Sequence, residues 1–236
     1  MIISGIDEAG RGALIGPMVI SGVTIDQKDE KKLKLLGVKD SKKLTPAKRQ
    51  ELAQHIENIA KDIVVIRVQA CKIDDYRARG INLDKIEAMK MAEMIKIMKS
   101  ERIYIDSLEA NPPKFKQMIL NNLETNGTEL VVENYADETY TSVSAASIIA
   151  KVDRDRAIQE IKTRVNFDFG VGYSHDKRTI EFVQMLVKKH KGDLPPYVRR
   201  SWITTQDLIE KSFQKKVKEF IFRKKEDCSE GKDEEN

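Results

Sequence analysis

IISGIDEAGRGALIGPMVISGVTI, residues 2–25, sets two β-branched runs on either side of a glycine-rich stretch. Runs of this composition bounded by turn residues read as strands, so residues 2–7 and 18–25 are expected to be neighbours in a sheet. The first run ends on two adjacent acids, Asp7 and Glu8, directly ahead of Ala9-Gly10-Arg11-Gly12. Acids are poor strand formers, so a pair of them closing an apolar run points to chemistry at the strand end. Successive strand residues face opposite sides of a sheet. Both carboxylates are therefore expected to reach one site by the chain leaving regular geometry, a departure that glycine permits.

Outward from this segment the pattern alternates. Thr45-Pro46 marks a helix start, with Thr as cap and Pro in the first turn, and Leu52, Ile56 and Ile59 supply its apolar face. Residues 62–69 (DIVVIRVQ) read as a third strand, and Ala88, Met91, Ala92, Ile95 and Met98 fall at helical spacing. RIYID at 102–106 is a short strand ending on an acid. Pro113, Phe115, Ile119 and Leu123 suggest a helix, and ELVVE at 129–133 a fifth strand. A Ser/Ala-rich helix over 142–162 follows, then one capped by Asp176 that carries Ile180, Val183 and Val187. A last helix at about 204–222 has Ile209, Phe213, Val217 and Phe220 on one face. Three strands followed by alternating helices and strands predict an α/β chain, a mixed sheet covered on both faces.

The chain of 236 residues suits one large domain, or one domain with a small appendage. Of 42 basic and 38 acidic residues, six acids and one base lie in 226–236, so residues 1–225 carry a net charge of +9. That field favours a polyanionic partner. Cys71 and Cys228 offer neither a disulfide framework nor zinc-ligand spacing. The N-terminus lacks the layout of a signal peptide and no apolar run is long enough to span a bilayer, so no membrane partner and a cytoplasmic location are expected.

Asp106 ends the RIYID strand, and Asp137 lies four residues past ELVVE, ahead of the Ser-rich helix. If the strands are neighbours, Asp7, Glu8, Asp106 and Asp137 converge at one edge of the sheet. Converging carboxylates repel unless protons or hard cations neutralise them. Magnesium takes oxygen ligands and keeps several waters. Two such ions would activate a water and stabilise a leaving oxygen in phosphodiester cleavage. Any one of these acids alone reads first as a cap or turn former, and Glu138 stands beside Asp137. Only the constellation points to a metal-dependent enzyme.

GIDEAGRG at 5–12, DSKKL at 40–44, IYID at 103–106, SAASIIAK at 144–151 and GYSHD at 172–176 together resemble the ribonuclease HII family in its archaeal form. The resemblance covers residues 2–205. It implies a ribonuclease H-like fold with a five-stranded mixed sheet flanked by helices and a C-terminal helical appendage. The domains are then 1–200 catalytic, 201–225 helical and 226–236 a disordered acidic tail. The implied activity is endonucleolytic hydrolysis of the RNA strand of RNA/DNA hybrids, with cutting 5′ to single ribonucleotides in duplex DNA, leaving 5′-phosphate and 3′-hydroxyl ends. The implied setting is DNA replication and ribonucleotide excision repair.

By the same resemblance, Asp7, Glu8, Asp106 and Asp137 match the catalytic, metal-binding acids, holding two Mg²⁺ or Mn²⁺ ions. Asp137 fits because it lies seven residues before Ser144, a register that Glu138 misses. Gly10, Arg11 and Gly12 match the loop whose backbone reads the ribonucleotide 2′-hydroxyl, the group that separates RNA from DNA. Tyr173 matches the tyrosine that helps sense that hydroxyl and stacks on the neighbouring deoxyribose, although a lone Tyr after Gly-Val-Gly otherwise reads as a packing residue. Ser41, Lys42 and Lys43 match a phosphate-contacting motif, and Ser144, Ser147 and Lys151 a second one. Helix capping and close packing account for Ser144 and Ser147 equally well.

Some positions depart from the family pattern. Ala13 stands where many relatives have Pro, Ser-His-Asp follows Tyr173 where Pro-Ser-Asp is common, and Asp153 replaces a frequent Thr. His175 reads as incidental and Asp153 as an exposed helix acid. Gln214, Val217, Phe220 and Ile221 have the spacing of sliding-clamp binding peptides, although a helix packing Phe213, Val217 and Phe220 on the body is the simpler reading. The sister class, ribonuclease HIII, carries an extra N-terminal domain for which a GIDEAG at residue 5 leaves no expected room. A binding module that had lost its chemistry would lack one of the four acids. The protein is expected to act as a monomer.

Overall fold

The computed structural model describes residues 1–38, 44–123 and 127–213. In chain order the elements are β1 (Ile2–Ala9), β2 (Met18–Asp26), α1 (Glu30–Leu35), α2 (Pro46–Ile59), β3 (Asp62–Val68), α3 (Ala70–Ala78) and α4 (Leu83–Ile97). There follow β4 (Arg102–Asp106), α5 (Pro112–Leu120), β5 (Glu129–Glu133), α6 (Ala136–Thr139), α7 (Thr141–Val165) and α8 (Lys177–His190). Residues 203–213 are helical as well.

The strands form one sheet in the order β3-β2-β1-β4-β5, antiparallel across β3, β2 and β1 and parallel across β1, β4 and β5. Every strand expected from the sequence is present, and the mixed five-stranded sheet with helices on both faces is the fold that the sequence implies. Thr45 caps α2 through its hydroxyl with Pro46 in the first turn, and Asp176 caps α8 through its carboxylate. The sequence pattern did not show α1, α3 or α6. Only one or two residues of each of the first two are buried apolar anchors, too few for a legible period.

Two glycines set how closely the helices lie on the sheet. A Cβ at Gly5 would fall 2.1 Å from the Ser142 carbonyl carbon, so α7 rests its first turn on the β1 backbone. On the opposite face, a Cβ at Gly22 would meet the sulfurs of Met94 and Met98 at 2.7 Å. The α4 face holds Ile6, Ile20, Met91, Ile95 and Ile105 in its core, and the α7 face holds Ile3, Val23, Val143 and Ile148.

A third core lies beyond the sheet. Ile158 and Ile161 from the end of α7, Phe182, Val183 and Leu186 from α8, and Leu14 and Ile15 from the β1–β2 connection pack together. Leu208 and Ile209 of the 203–213 helix cover it. Among the described residues, no helix is long and apolar enough to cross a membrane. The 226–236 tail and residues 214–225 lie outside the described residues.

Candidate active site

The central strand stays regular to its end. β1 pairs with β2 residue by residue from Ile2↔Asp26 to Ala9↔Val19, so Asp7 and Glu8 project to opposite faces. This corrects the expectation that the chain breaks register to bring them together. The departure comes two residues later, at Gly10, whose φ of 80° is open to glycine at little cost. Asp7 faces α7, where Ser147 hydrogen-bonds to it and Lys151 supplies positive charge. Glu8 faces α4 and lies in the field of Glu87.

Asp106 ends β4 and accepts a 2.8 Å bond from the Ala136 N–H, the first amide of α6. That bond sets the short helix on the strand end and brings Asp137 beside Asp106. Asp137 therefore comes from a helical turn, not a strand end. Tyr104 of β4 stacks on Tyr140 with centroids 4.0 Å apart, which secures the same corner. One carboxylate oxygen from each of Asp7, Asp106 and Asp137 lies within 4.8 Å of the others, and all three residues are buried. Glu8 stands outside this trio yet lines the same cleft, which has a volume of about 650 Å³.

Burial is the main force on these acids. It raises the Asp7 carboxyl above its ordinary range against the pull of Lys151 and Ser147. Glu8 is pushed well up by burial and by the charges of Asp7, Glu87 and Asp106. Crowded, desolvated carboxylates hold their protons until a cation replaces them. Three aspartates with no His or Cys among them form a hard oxygen donor set, which suits Mg²⁺ or Mn²⁺.

The glycine loop borders the same cleft. Gly10, Arg11 and Gly12 line it together with Lys151, Arg154, Tyr173 and His175. The Gly10 carbonyl accepts from the Ala13 N–H at 3.3 Å, closing a β-turn centred on Arg11 and Gly12. The Arg11 guanidinium is bound to Asp84 and lies 2.8 Å from Glu87, both on α4. Burial pushes Glu87 up to about 7 against the pull of Arg11.

The ribonuclease HII family model matches residues 4–205. A ribonuclease HII of Methanosarcina barkeri is 41% identical over 216 residues, covering 89% of this chain and 96% of the relative. The chain belongs to the ribonuclease HII family. Among solved structures, the ribonuclease H2 of Pyrococcus horikoshii superposes with a TM-score of 0.82 at 40% identity, covering 90% of this chain and 99% of that one. An Archaeoglobus fulgidus RNase HII, solved in complex with PCNA, gives a TM-score of 0.76 at 39% identity and covers 86% of this chain and 95% of its own. The protein is accordingly an endoribonuclease of the ribonuclease H type, a hydrolase that cleaves RNA in RNA/DNA hybrids.

Within this ribonuclease HII, the cleft gathers Asp7, Glu8, Asp106, Asp137, Gly10, Arg11, Gly12, Lys151 and Tyr173. The two serines are placed inward. Ser144 donates its hydroxyl to the Asp137 carbonyl, and Ser147, fully buried, accepts a 2.5 Å bond from the Lys151 ammonium. The start of α7 is packed against β1, so these hydroxyls hold the acids and the lysine in place. Ser41, Lys42 and Lys43 lie outside the described residues, as do Gln214, Val217, Phe220 and Ile221. Asp153 is not an exposed acid: it takes two hydrogen bonds from the Arg67 guanidinium, at 2.6 and 2.8 Å. His175 stacks on Tyr173, with centroids 5.5 Å apart.

Three cations escaped the sequence reading. Arg49 reaches from α2 to the Leu44 carbonyl at 2.8 Å and to Asp155 at 3.0 Å, on the rim of the cleft. Arg154 lies under Gly10 and Tyr173, its guanidinium carbon 4.4 Å from the ring centroid. The position of Arg154, three residues after Lys151 on one helix face, was a signal that could have found it. Arg199, wholly buried, had no such signal, since nothing in Tyr-Val-Arg-Arg-Ser separates it from Arg200.

Proposed function

We propose that this ribonuclease HII cuts on the 5′ side of single ribonucleotides embedded in duplex DNA as well as within longer hybrids, by hydrolysis that uses two divalent cations. One observation carries the reading: a buried carboxylate trio and a glycine turn with Tyr173 beside it line the same cleft. Asp7, Asp106 and Asp137, with Glu8 at the cleft wall, would hold the ions, and Mg²⁺ or Mn²⁺ suits their oxygens. When bound, the ions supply Lewis-acid stabilisation to the attacking and departing oxygens of an in-line displacement.

The rest of the work falls to the chain. Ser147 and the Glu8 N–H, the latter at 2.7 Å, hydrogen-bond to the Asp7 carboxyl and fix its orientation. The Ala136 N–H does the same for Asp106. Lys151 places a cation beside the acids where a phosphate would enter. The Gly10–Gly12 turn brings bare backbone up to the sugar, and Tyr173 closes the other side, so a 2′-hydroxyl is recognised while the bases go unread. The products are a 5′-phosphate and a 3′-hydroxyl, and the setting is removal of ribonucleotides during DNA replication and ribonucleotide excision repair in the cytoplasm. Ser41, Lys42 and Lys43 are assigned to backbone phosphates.

The deciding experiment is cleavage of a labelled DNA duplex containing one ribonucleotide, with Mg²⁺, Mn²⁺ or EDTA, beside an all-DNA control. Metal-dependent cutting 5′ to the ribonucleotide is expected. Cutting confined to long hybrids would overturn the single-ribonucleotide reading and keep the acid chemistry.

The Archaeoglobus relative's complex with PCNA supports a further assignment, that Gln214, Val217, Phe220 and Ile221 bind a sliding clamp as a monomeric enzyme. Deleting 212–236 should then abolish clamp capture and leave cleavage intact. Equal capture by the truncated protein would remove these residues from the contact.

A further inference from the structure

Arg199 is a cation with no exposure to solvent, and no carboxylate lies within ion-pair distance of it among the described residues. A buried, unpaired charge is costly, and proteins keep one only where its hydrogen bonds do specific work. Burial, then the neighbouring Arg154, lower its proton affinity until its pKa is about 9. Its donors go to three backbone oxygens: Gly10 O at 2.6 Å, Arg11 O at 2.5 Å, and Gly16 O at 3.1 and 3.2 Å. The ring of Trp202 lies 4.7 Å from the guanidinium carbon and closes the other face.

Two of those oxygens belong to successive peptide groups. The Gly10 carbonyl shares its plane with the Arg11 N–H, and the Arg11 carbonyl shares its plane with the Gly12 N–H. Both peptides are trans, so each N–H points away from its carbonyl. With the carbonyls drawn inward to Arg199, the N–H groups turn toward the cleft that this segment lines. Neither N–H makes a hydrogen bond among the described residues. A cation on the oxygen end of a peptide also withdraws charge from its N–H end, which makes it a better donor in a shielded site.

We propose that Arg199 is a positioning residue for sugar recognition: it holds the carbonyl ends of the two peptides between Gly10 and Gly12, so that their N–H ends form a preset, polarised pair of donors for an oxygen acceptor on the ribose. The inference rests on the reading of this loop as the 2′-hydroxyl sensor and adds a residue that never meets the substrate. Arginine is required because one planar fork must serve several fixed oxygens, which a lysine ammonium cannot match.

The test uses the full chain and two variants, Arg199→Lys and Arg199→Met. Binding of a duplex with one ribonucleotide and of the all-DNA duplex is measured by fluorescence anisotropy in EDTA, with the Mg²⁺-induced shift in Tm as a check on the acid cluster. The expected result is that the preference for the ribonucleotide duplex falls roughly tenfold in both variants while the Mg²⁺ shift persists. Arg199→Lys keeps the buried charge, so it decides the matter if Arg199→Met does not fold. An unchanged preference in folded Arg199→Lys overturns the proposal. Equal weakening toward both duplexes overturns it too, since the donors then serve a phosphate oxygen common to both. A wild type that binds both duplexes equally overturns the sensor reading itself, and the role of Arg199 falls with it.

Discussion

Asp7 and Glu8 are consecutive residues of one unbroken strand, and their carboxylates stand on opposite faces of the sheet, the first toward Lys151 and the second toward Glu87. They reach the same cleft because β1 ends there. The two acids are therefore unequal partners. Asp7 belongs to the tight trio with Asp106 and Asp137, so Asp7→Asn should lower metal-dependent cleavage by at least about a thousandfold, the scale of several kcal/mol of lost charge stabilisation. Duplex binding, followed by anisotropy, should survive. Cleavage by Asp7→Asn near the wild-type rate would remove this residue from the chemistry.

Gly12 gives a test of the turn that leaves folding aside. A Cβ built there meets no protein atom within 4 Å, and its φ needs no glycine. Gly12→Ala should thus stay within about 0.5 kcal/mol of wild-type stability, while the added methyl intrudes where a sugar approaches. The KM for a ribonucleotide-containing duplex should rise. Unchanged kinetics at unchanged Tm would mean that the sugar does not come close to this residue.

Gly5 predicts the reverse outcome. Its Cβ would overlap the α7 backbone at 2.1 Å, and backbone cannot move aside as a side-chain tip can. Gly5→Ala should cost about 1–3 kcal/mol or more, read as a lower urea midpoint. A midpoint equal to wild type would show that α7 can lift from β1 at no cost.

The buried acids also set a dependence on pH. Glu87 titrates near 7 in the folded protein against an ordinary 4.5, and Asp7 and Glu8 are shifted the same way. The folded state then binds more protons than the unfolded chain between about 4.5 and 7, so stability falls as pH rises through that window. Metal-free protein should melt lower at pH 8 than at pH 5.5. Mg²⁺ or Mn²⁺ binds the ionised acids and should raise Tm more at pH 8. Equal metal-induced shifts at the two pH values would contradict the raised carboxyls.

Much of this was legible in the sequence for definite physical reasons. Strands β1, β4 and β5 are short apolar runs that end on or near acids, and the family motifs place Asp137 by its distance from Ser144. The face that Glu8 takes was not legible, because it depends on β1 staying paired through Ala9, where glycines suggested an earlier break. The serine roles were not legible either: a hydroxyl at a helix start serves a phosphate or a neighbouring carbonyl equally well, and only burial separates the two. Arg199 acts across 183 residues on the carbonyl of Gly16. No local pattern encodes the direction of a carbonyl so far along the chain.

Leu14 and Ile15, in the connection that follows the glycine turn, both donate their N–H groups to the Gly172 carbonyl, while Gly16 donates to Tyr197. The side chains of Leu14 and Ile15 sit in the outer core with α8, whereas the carboxylate trio stands on two strands of the sheet and the short helix α6 set on its edge. On the reading proposed above, the apparatus that cuts and the apparatus that chooses rest on two foundations, sewn together by the β1–β2 connection and by α7, whose start holds Asp7 and whose end enters the outer core. The choosing half could then drift in sequence, loosening or sharpening its taste for one sugar over another, without disturbing the acids that break the bond.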